Sequence, residues 1–398
     1  MKKTFLKLFT VAVAAVMTAT SFVGCGSGEG FAKDKYNIGV SGPLSGGAAV
    51  YGEAVKNGAE LAIKEINAKL GDGETKYAFE MKDDEATTKN IATNFSSLYE
   101  KGMQVSLGCV TTGSCLEYKT YAKEKNVFCI TPSATGDQVP ENADNMYQMC
   151  FTDSNQGSAS VEWMKRDNNV PTSTKIGVFY CNNDAYSKGI RDNFKAAAET
   201  AGYADITEAS FANNADGSAP TDFSTQVQTL KACEFIFMPI YYTPASTFMK
   251  AAQNIVADTA KFFGCDGFDG IDTAIAGFDI NTIKQEVSML SHFNSSATTG
   301  KAADFIKAYK DEYGKTPIQF GAAAYDCVYV IYQAIEKAKA DGKSVPADIS
   351  ASDLCNILKE VFKSASFSFD GVTGTGIKWN ADGTVDKQAD KFVIKAQG

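Results

Sequence analysis

The alternation of short apolar runs with stretches of helical period is the feature that most limits how this chain can fold. Near its beginning, the apolar run Tyr36–Val40 is followed by a Gly/Ser/Pro loop and by a predicted helix from about Ala54 to Lys69. Apolar residues of that helix recur at spacings of four, three and four, and so share one face: Val55, Ala59, Ala62 and Ile66. A strand followed by an amphipathic helix is the repeating unit of parallel α/β folds.

The same unit recurs along most of the chain. Further strands are predicted at Tyr77–Asp83, Val105–Leu107, Val127–Ile130, Lys175–Tyr180, Tyr203–Phe211, Phe235–Met238 and Lys261–Gly264. Helices are predicted at Thr88–Lys101, Cys115–Lys125, Gln156–Asp167, Ser187–Ala201, Asp222–Leu230 and Ala245–Ile255. The last third predicts three helices and then short strands: Thr299–Tyr313, Gly321–Ala340, Ser352–Lys363, and strands near Phe367–Phe369, Gly376–Trp379 and Phe392–Lys395. We expect two α/β units with parallel sheets, each completed by a distant part of the chain, and ligands at the carboxyl ends of the strands.

Residues 1–24 predict a secretory signal peptide. Lys2, Lys3 and Lys7 form a positive n-region, and the stretch Leu8–Val23 is largely apolar. This stretch is too short, and too often interrupted by Thr and Ser, to span a membrane comfortably. Nothing after Val23 predicts a transmembrane helix.

Cys25 is predicted to carry a lipid. The preceding Phe22-Val23-Gly24 resembles a bacterial lipobox, although Leu is preferred where Phe22 stands. The alternative is an ordinary signal peptide with an incidental cysteine. Because Gly26–Gly30 is rich in Gly and Ser, residues 25–35 suit a flexible tether. We therefore expect an extracytoplasmic protein that touches the bacterial cell membrane only through Cys25.

Charge and residue counts exclude several classes of function. Removal of residues 1–24 takes away three lysines and no acidic residue, which changes the formal net charge from −9 to about −12. No basic stripe remains, so nucleic acid is not an expected partner. His292 is the only histidine, which excludes histidine-based triads and most metal sites. Asp266, Asp269 and Asp272 lack the alternate-residue spacing of an EF-hand, so no metal is expected.

The cysteines do not predict a disulfide framework. Ten are present, and assigning Cys25 to the lipid leaves nine. Several stand in strand-like stretches, among them Cys129 and Cys181. These are interpreted as small buried side chains.

Three loops that follow predicted strands are rich in Gly, Ser and Thr. They are Ser41–Gly47, which leads to Tyr51-Gly52, then Gly108–Ser114 and Thr131–Gly136. Before a helix N-terminus, unpaired N–H groups and the helix dipole favour an anion such as a carboxylate. Helix capping by Ser and Thr is the alternative. Two consecutive loops of this kind favour a binding site.

A series of short motifs occurs in a fixed order along the chain. It comprises Ile38–Gly46, Gly58-Ala59, Glu65–Ala68, Asp83-Asp84, Gly108–Gly113, Ile130–Thr135, Asp153–Gly157, Asp184–Gly189, Gly264–Gly267, Tyr325-Asp326 and Asn380–Gly383. Each motif alone is weak. Their succession from about residue 36 to 395 resembles the leucine/isoleucine/valine-binding family of transporter receptors.

The resemblance implies the fold and the partners. It implies a type I periplasmic binding protein: an α/β protein with two Rossmann-like lobes joined by three hinge crossovers, without catalytic activity or cofactor. The N-terminal lobe is expected to comprise residues 36–152 and 293–365, and the C-terminal lobe residues 153–292 and 366–398. The implied partners are a small amino acid between the lobes and an ABC transporter permease, and the protein is expected to be a monomer.

The resemblance also implies roles for individual residues. Thr112 and the loop Ser133-Ala134-Thr135 match residues that hold the α-carboxylate and α-ammonium of the ligand. Asp266 matches an acidic residue placed against the ammonium, although an Asp before Gly267 could simply form a turn. The matched aromatic positions that face the ligand are Tyr51, Tyr186, either Tyr241 or Tyr242, and Phe320. The tyrosine after Phe235–Met238 could alternatively cap the core.

Differences from the branched-chain members of the family leave the identity of the ligand's side chain undecided. The acidic anchor is Asp rather than Glu, Tyr51 replaces a Trp, and no cysteine stands at Ala86-Thr87 for the disulfide that some relatives form. Leu, Ile and Val are the default ligands, and aromatic amino acids, small amides or aromatic acids are alternatives. A ligand sensor with a separate signalling partner is the alternative function. The sequence contains neither a nucleophile elbow nor a phosphate-binding loop, so it does not predict an enzyme.

Overall fold

The protein is described from a computed structural model that covers residues 31–166, 169–273, 275 and 277–398. The predicted signal peptide, the predicted lipid site Cys25 and residues 26–30 of the predicted tether lie outside the described residues.

A sheet of five parallel strands forms the centre of the first lobe, in the order β2-β1-β3-β4-β5. The strands are β1 (Lys35–Gly42), β2 (Lys76–Asp83), β3 (Val105–Cys109), β4 (Phe128–Thr131) and β5 (Met146–Gln148). The helices between them are α1 (Ala49–Lys69), α2 (Ile91–Glu100) and α3 (Thr112–Glu124). Every residue of β3 and β4 is buried, as expected for strands covered by helices on both faces of a parallel sheet.

A sheet of six strands forms the second lobe, in the order β11-β10-β9-β8-β6-β7. Its strands are β6 (Ile176–Cys181), β7 (Ile206–Phe211), β8 (Phe235–Met238), β9 (Lys261–Gly264), β10 (Glu286–Ser291) and β11 (Asp390–Lys395). Its helices are α4 (Asp153–Arg166), α5 (Ala185–Thr200), α6 (Ser224–Leu230) and α7 (Tyr242–Ala252). Among the described strands of this sheet, β10 and β11 pair antiparallel and the other neighbours pair parallel.

Three helices between β10 and β11 return the chain to the first lobe. They are α8 (Gly300–Tyr313), α9 (Gln319–Ala340) and α10 (Ala351–Phe362), each within two residues of its predicted bounds. α9 packs along α1 at very close range, because a Cβ added at Gly58 would lie only 2.0 Å from the carbonyl oxygen of Gly321. The predicted start of α1 at Ala54 is wrong: the helix begins at Ala49 and includes Tyr51.

The C-terminal segment differs from its prediction in two ways. The predicted strands near Phe367–Phe369 and Gly376–Trp379 are present only as isolated β-bridges, which pair Phe369 with Ile377 and Trp379 with Val385. Residues 367–385 also lie against the first lobe rather than the second, since the Trp379 indole donates to the carbonyl of Gln148 at 2.8 Å. The chain was predicted to return to the second lobe at residue 366. It returns about twenty residues later, since β11 begins at Asp390.

Three crossovers connect the two lobes, at residues 149–152, 292–299 and 386–389. Among the described residues, no helix is both long enough and apolar enough to cross a membrane. All nine cysteines from Cys109 to Cys355 are buried and free, which agrees with their interpretation as small core residues.

Candidate functional site

Loops at the carboxyl ends of β3 and β4 form the first-lobe side of a small cavity between the lobes. α3 begins at Thr112, and Thr111 is its N-cap. The Ser133 hydroxyl donates to the carbonyl of Val110 at 2.8 Å, and Thr112 Oγ1 accepts from the N–H of Gly136 at 3.2 Å. The two loops therefore hold each other in place, with the N-terminus of α3 and the positive end of its dipole at the cavity.

Asp266 is the charged group on the second-lobe side of the cavity. It follows β9, starts a short 3-10 turn, and is only 4% exposed. Its Oδ1 accepts the hydroxyl hydrogen of Tyr186 at 2.7 Å, and its N–H donates to Oε1 of Gln156 at 3.0 Å. Burial raises the pKa of Asp266 to about 6. The carboxylate is consequently charged at neutral pH in surroundings where an opposite charge is strongly favoured.

Gly267 is required next to this carboxylate. A Cβ at this position would lie 2.7 Å from the Tyr186 hydroxyl and 2.7 Å from the carbonyl oxygen of Ile240. The Gly267 N–H donates to the same hydroxyl at 3.0 Å. The turn after β9 can approach Tyr186 this closely only because residue 267 lacks a side chain.

Aromatic rings from both lobes fill most of the space between these polar groups. Tyr51 and Phe320, both from the first lobe, stack with ring centroids 4.2 Å apart and planes 10° apart. Tyr186 and Tyr241, both from the second lobe, stack at 4.9 Å and 10°. The edge of the Tyr51 ring also meets Tyr242 at 5.0 Å and 86°. Such ring faces offer a large and rigid apolar contact area to a ligand.

Ten residues line the resulting cavity. They are Tyr51, Val110, Thr111, Thr112, Ser133, Tyr186, Tyr241, Asp266, Gly267 and Phe320. The space open to the centre of a water molecule is about 10 Å³, which is enough for about one water molecule. An amino acid can therefore enter only when the two lobes, or these side chains, move apart.

Hydrogen bonds between the lobes close the cavity. The Tyr51 hydroxyl donates to the carbonyl of Gly267 and accepts from the N–H of Tyr242 at 3.2 Å. The Val50 N–H donates to the Tyr242 hydroxyl at 3.3 Å, and the Thr243 hydroxyl donates to the carbonyl of Gly47 at 2.6 Å. The N-terminal turn of α7 thus seals the cavity against the first turn of α1.

Seven of the ten predicted ligand-binding residues line this one cavity: Tyr51, Thr112, Ser133, Tyr186, Tyr241, Asp266 and Phe320. The other three lie beside it. Ala134 is fully buried and its carbonyl accepts from Gln148, whereas Thr135 is fully buried and its carbonyl accepts from the N–H of Asp153. Tyr242 faces Val50 in the contact between the lobes. Of the two adjacent tyrosines, only Tyr241 reaches the cavity.

Several buried polar groups lie in or next to the cavity, and two of their residues, Asp153 and Gln156, had no predicted role. Both carboxylate oxygens of Asp153, the Thr135 hydroxyl, the Gln156 amide nitrogen and the Tyr241 hydroxyl have no hydrogen-bond partner among the described residues. Buried polar atoms are normally partnered, so such a group beside a cavity needs an explanation. The sequence signal available for Asp153 and Gln156 was their position in the motif Asp153–Gly157.

Asp153 is a second buried acid near Asp266. It is 1% exposed, and burial raises its pKa well above the usual range. The nearby carboxyl of Asp266 raises the pKa of Asp153 further. The second-lobe side of the site therefore combines two buried carboxyls, and a cation that enters it would lower the pKa of both and favour their ionised forms.

Two wider grooves lie elsewhere on the surface. One of about 790 Å³ runs between α4 and residues 382–390, and another of about 380 Å³ lies among α1, α8 and α9. Neither is lined by a predicted ligand-binding residue.

The two lobes and the cavity between them define a solute-binding protein of the two-lobed class. The periplasmic binding protein family model matches residues 35–397, and the chain belongs to this family, whose members are binding proteins rather than enzymes. Leu/Ile/Val-binding protein homolog 3 of Brucella melitensis biotype 1 is 28% identical over 317 residues, which are 78% of this chain and 82% of that protein. The predicted resemblance to Leu/Ile/Val-binding proteins is thereby confirmed.

Solved structures confirm the predicted type I fold. The branched-chain amino acid transporter substrate binding protein LivJ of Streptococcus pneumoniae, in complex with isoleucine, has 25% identity and a TM-score of 0.75, covering 91% of this chain and 99% of that one. A solute-binding protein of an ABC transporter from R. palustris, in complex with benzoate, has 19% identity and a TM-score of 0.74, covering 91% and 94%. The similarity to the R. palustris protein concerns the fold alone.

Proposed function

We propose that this protein is the extracytoplasmic solute-binding lipoprotein of an ABC transporter and that it binds an amino acid with an apolar side chain between its lobes. The observation that carries the proposal is the buried Asp266 carboxylate, which stands across one cavity from the N-terminus of α3 and the Ser133 loop. An α-ammonium pairs with the carboxylate, and an α-carboxylate accepts hydrogen bonds from the hydroxyls and N–H groups of the first lobe.

The second-lobe carboxyls favour an amino acid over an aromatic acid. Benzoate, the ligand of the R. palustris relative, has no cationic group. Its binding here would leave Asp266 and Asp153 buried without a positive partner, which is energetically unfavourable. An amino acid supplies an ammonium to the same place, next to Asp266, with which Asp153 interacts electrostatically.

The walls of the cavity favour an apolar side chain. Tyr51, Phe320 and Tyr241 present ring faces, and Val110 adds an aliphatic surface. None of the ten described lining residues is Lys or Arg. A dicarboxylic amino acid would therefore bring a second negative charge to a site that already contains two acidic groups.

Lobe closure supplies the mechanism. The amino acid enters when the lobes are apart, binds the β3 and β4 loops, and is enclosed when the second lobe brings Asp266 and Tyr186 to it. Hinge motion of this kind is established for two-lobed binding proteins. The contacts of Tyr51 with Gly267 and Tyr242 link closure directly to the ligand site.

Isothermal titration calorimetry on the mature chain tests the ligand class. We expect binding of at least one among Leu, Ile, Val and the aromatic amino acids, and no binding of benzoate or glutamate. Benzoate is the matched control because it keeps the carboxylate and an apolar ring but lacks the ammonium. Binding of benzoate with no amino acid bound would contradict the proposal.

Membrane anchoring is tested separately. Mass spectrometry of the protein from a bacterial host should show an acylated N-terminal Cys25, and Cys25→Ala should appear in the soluble extracytoplasmic fraction. An unmodified N-terminus in the wild-type protein would refute the lipid anchor and leave the ligand proposal unaffected.

A further inference from the structure

β11 forms one edge of the second-lobe sheet, with β10 as its neighbour. No described strand pairs with its other side, so its outward backbone N–H and C=O groups are placed to pair with a further strand. The middle of β11 is apolar, with the sequence Phe392-Val393-Ile394. Val393 is 53% exposed, more than any other large apolar residue that the structure describes. A partner strand can add to an edge of this kind.

The other sheet edges of the two lobes are better protected. β5 has three residues, and all are buried. β7 carries Glu208, which is held by Arg191 of α5, and β2 carries Lys76, Glu80 and Lys82. Short length and charge are common means by which an edge strand avoids pairing with another chain. Among the described strands, β11 is therefore the edge with the weakest protection.

Two features of β11 could guard its edge, and neither covers the middle of the strand. Lys391 turns to its own sheet, where its ammonium lies 3.2 Å from Oε1 of Glu286 and its side chain is only 9% exposed. Ile394 is unpaired in a bulge near the end of the strand, whereas Asp390–Val393 pair regularly with β10. A lysine held against its own sheet does not keep another strand away, and a bulge near one end leaves the rest of the edge available.

The sequence of β11 is complementary to itself in the antiparallel direction. When Phe392 lies opposite Val393 of a second copy, Asp390 lies opposite Lys395 at each end. Asp390 is exposed, and the Lys395 ammonium bonds to a backbone carbonyl, that of Ala396, at 2.6 Å. Apolar pairs and opposite charges that face each other across two antiparallel strands both stabilise the pairing. Antiparallel self-pairing therefore satisfies the charges at both ends of the strand.

An apolar pocket of about 220 Å³ lies beside this edge. The apolar residues that line it are Phe268, Met289, Phe293, Phe392, Val393 and Ile394. The apolar surface of the edge thus extends beyond the strand itself. This pocket shares no lining residue with the ligand cavity.

We propose that the free edge of β11 is a docking surface for a second copy of the chain, in which two β11 strands pair antiparallel with Phe392 opposite Val393 and Asp390 opposite Lys395. The pairing joins the two second-lobe sheets into one, and each contact occurs twice about a two-fold axis. The monomer that the family resemblance implies is then the form at low concentration. The inference goes beyond the proposed function and does not depend on it.

Sedimentation velocity of the unacylated Cys25→Ala protein tests the dimer without any ligand. An edge of six residues is small beside a standard interface of about 800 Å² per partner. We therefore expect half of the chains to be dimeric at about 0.1 mM, within a measured range from about 5 µM to about 0.5 mM. A monomer over the whole range, or larger aggregates without a dimer, would overturn the inference.

Val393→Lys tests the centre of the contact. The substitution puts a charge opposite Phe392 of the other copy and should weaken dimerisation by at least about tenfold. Leu44→Lys is the matched control, since Leu44 is also an exposed apolar residue but lies in the first lobe. Circular dichroism at low concentration checks that both variants are folded. Equal dimerisation of Val393→Lys and Leu44→Lys would contradict the proposed surface.

Two charge variants test the antiparallel register. Asp390→Lys and Lys395→Asp should each remain monomeric, because like charges then face each other at both ends of the pair. An equimolar mixture of the two should form dimers, because opposite charges then meet at both ends. Both substitutions are at the ends of the strand, so they also decide the question if Val393→Lys fails to fold. A mixture that stays monomeric while the wild-type protein dimerises would show that the copies meet through another surface.

Discussion

Tyr186 donates its phenolic hydrogen to Oδ1 of Asp266 at 2.7 Å and so fixes the direction of the only carboxylate that lines the described cavity. The same hydroxyl accepts from the N–H of Gly267 at 3.0 Å. A hydroxyl that both donates and accepts in this way has one defined orientation. The carboxylate is therefore presented to the first lobe before any ligand arrives, and less free energy is needed to order it on binding.

Replacement of Asp266 by Asn should weaken amino-acid binding by about 2–4 kcal/mol, because the ammonium then meets a neutral amide instead of a buried carboxylate. Calorimetry of wild type and variant measures this difference. Asp272→Asn is the control, since Asp272 is an exposed acid six residues further along and does not line the cavity. Equal affinities for wild type and Asp266→Asn would show that the ammonium lies elsewhere.

The affinity should depend on pH through the Asp266 carboxyl. Burial raises the pKa of Asp266 to about 6, so the ligand-free site loses its negative charge as the pH falls below that value. We expect the affinity to be constant above about pH 7 and to fall by up to about tenfold per pH unit below pH 6, as one linked proton requires. Titrations between pH 4.5 and 8 measure the profile. Asp266→Asn should bind weakly at every pH with no such slope, and a wild-type profile that is flat across pH 6 would count against this assignment.

Replacement of Asp153 by Asn should lower the affinity for the ligand without lowering the stability of the protein. The carboxyl of Asp153 is buried without a hydrogen-bond partner, so the neutral amide should maintain or raise the melting temperature of the ligand-free protein. Affinity for the amino acid should fall by about tenfold, since a bound ammonium favours the ionised form of this carboxyl and an amide cannot ionise. Thermal denaturation and calorimetry measure the two effects, and the exposed Asp390→Asn serves as control. A lower melting temperature with unchanged affinity would assign Asp153 a purely structural role.

The sequence predicts those parts of the fold that depend on local patterns. α8, α9 and α10 lie close to their predicted bounds because each has a continuous apolar face. β10 was not predicted, since Glu286, Ser288 and Ser291 interrupt its apolar character. The segment that contains Trp379 was assigned to the wrong lobe, because its partner Gln148 lies 231 positions away in sequence. Contacts at such separations have no local signature.

The candidate site was predicted through ordered motifs rather than through composition. Tyr51, Tyr186 and Asp266 lie at one cavity although they come from three distant segments, and only the resemblance to a family could group them. Asp153 was missed because its importance depends on burial and on the absence of a partner among the described residues, neither of which is visible in sequence. Helix capping and ligand binding also use the same Ser and Thr residues, so Thr135 could not be distinguished from Ser133 in advance.

A buried carboxyl of the first lobe should make stability fall as the pH rises. Asp84 is fully buried, accepts from the Ser41 hydroxyl at 3.2 Å and from the N–H of Ala86 at 2.9 Å, and its pKa is raised by burial to about 7. The folded protein therefore keeps this proton between about pH 4 and pH 7, where the unfolded chain has already released it. The free energy of unfolding is highest below the unfolded pKa and decreases as the pH rises through 7.

Replacement of Asp84 by Asn removes this titration, so the stability of the variant relative to wild type should increase by about 2–3 kcal/mol between pH 5 and pH 8. Variant and wild type must be compared at the same pH, because the buried His292 has a lowered pKa. In both proteins it makes the free energy of unfolding rise with pH, opposite to the effect of Asp84. Urea denaturation at pH 5, 6.5 and 8 measures the difference. Asp222→Asn is the control, since hydrogen bonds from the hydroxyl and the N–H of Ser224 lower the pKa of this exposed carboxyl, which is not among the groups that shift the pKa of Asp84. For this control variant, the difference in free energy of unfolding from wild type should be the same at all three pH values. If the difference for Asp84→Asn were also the same at all three, Asp84 would already be ionised in the folded protein at pH 5.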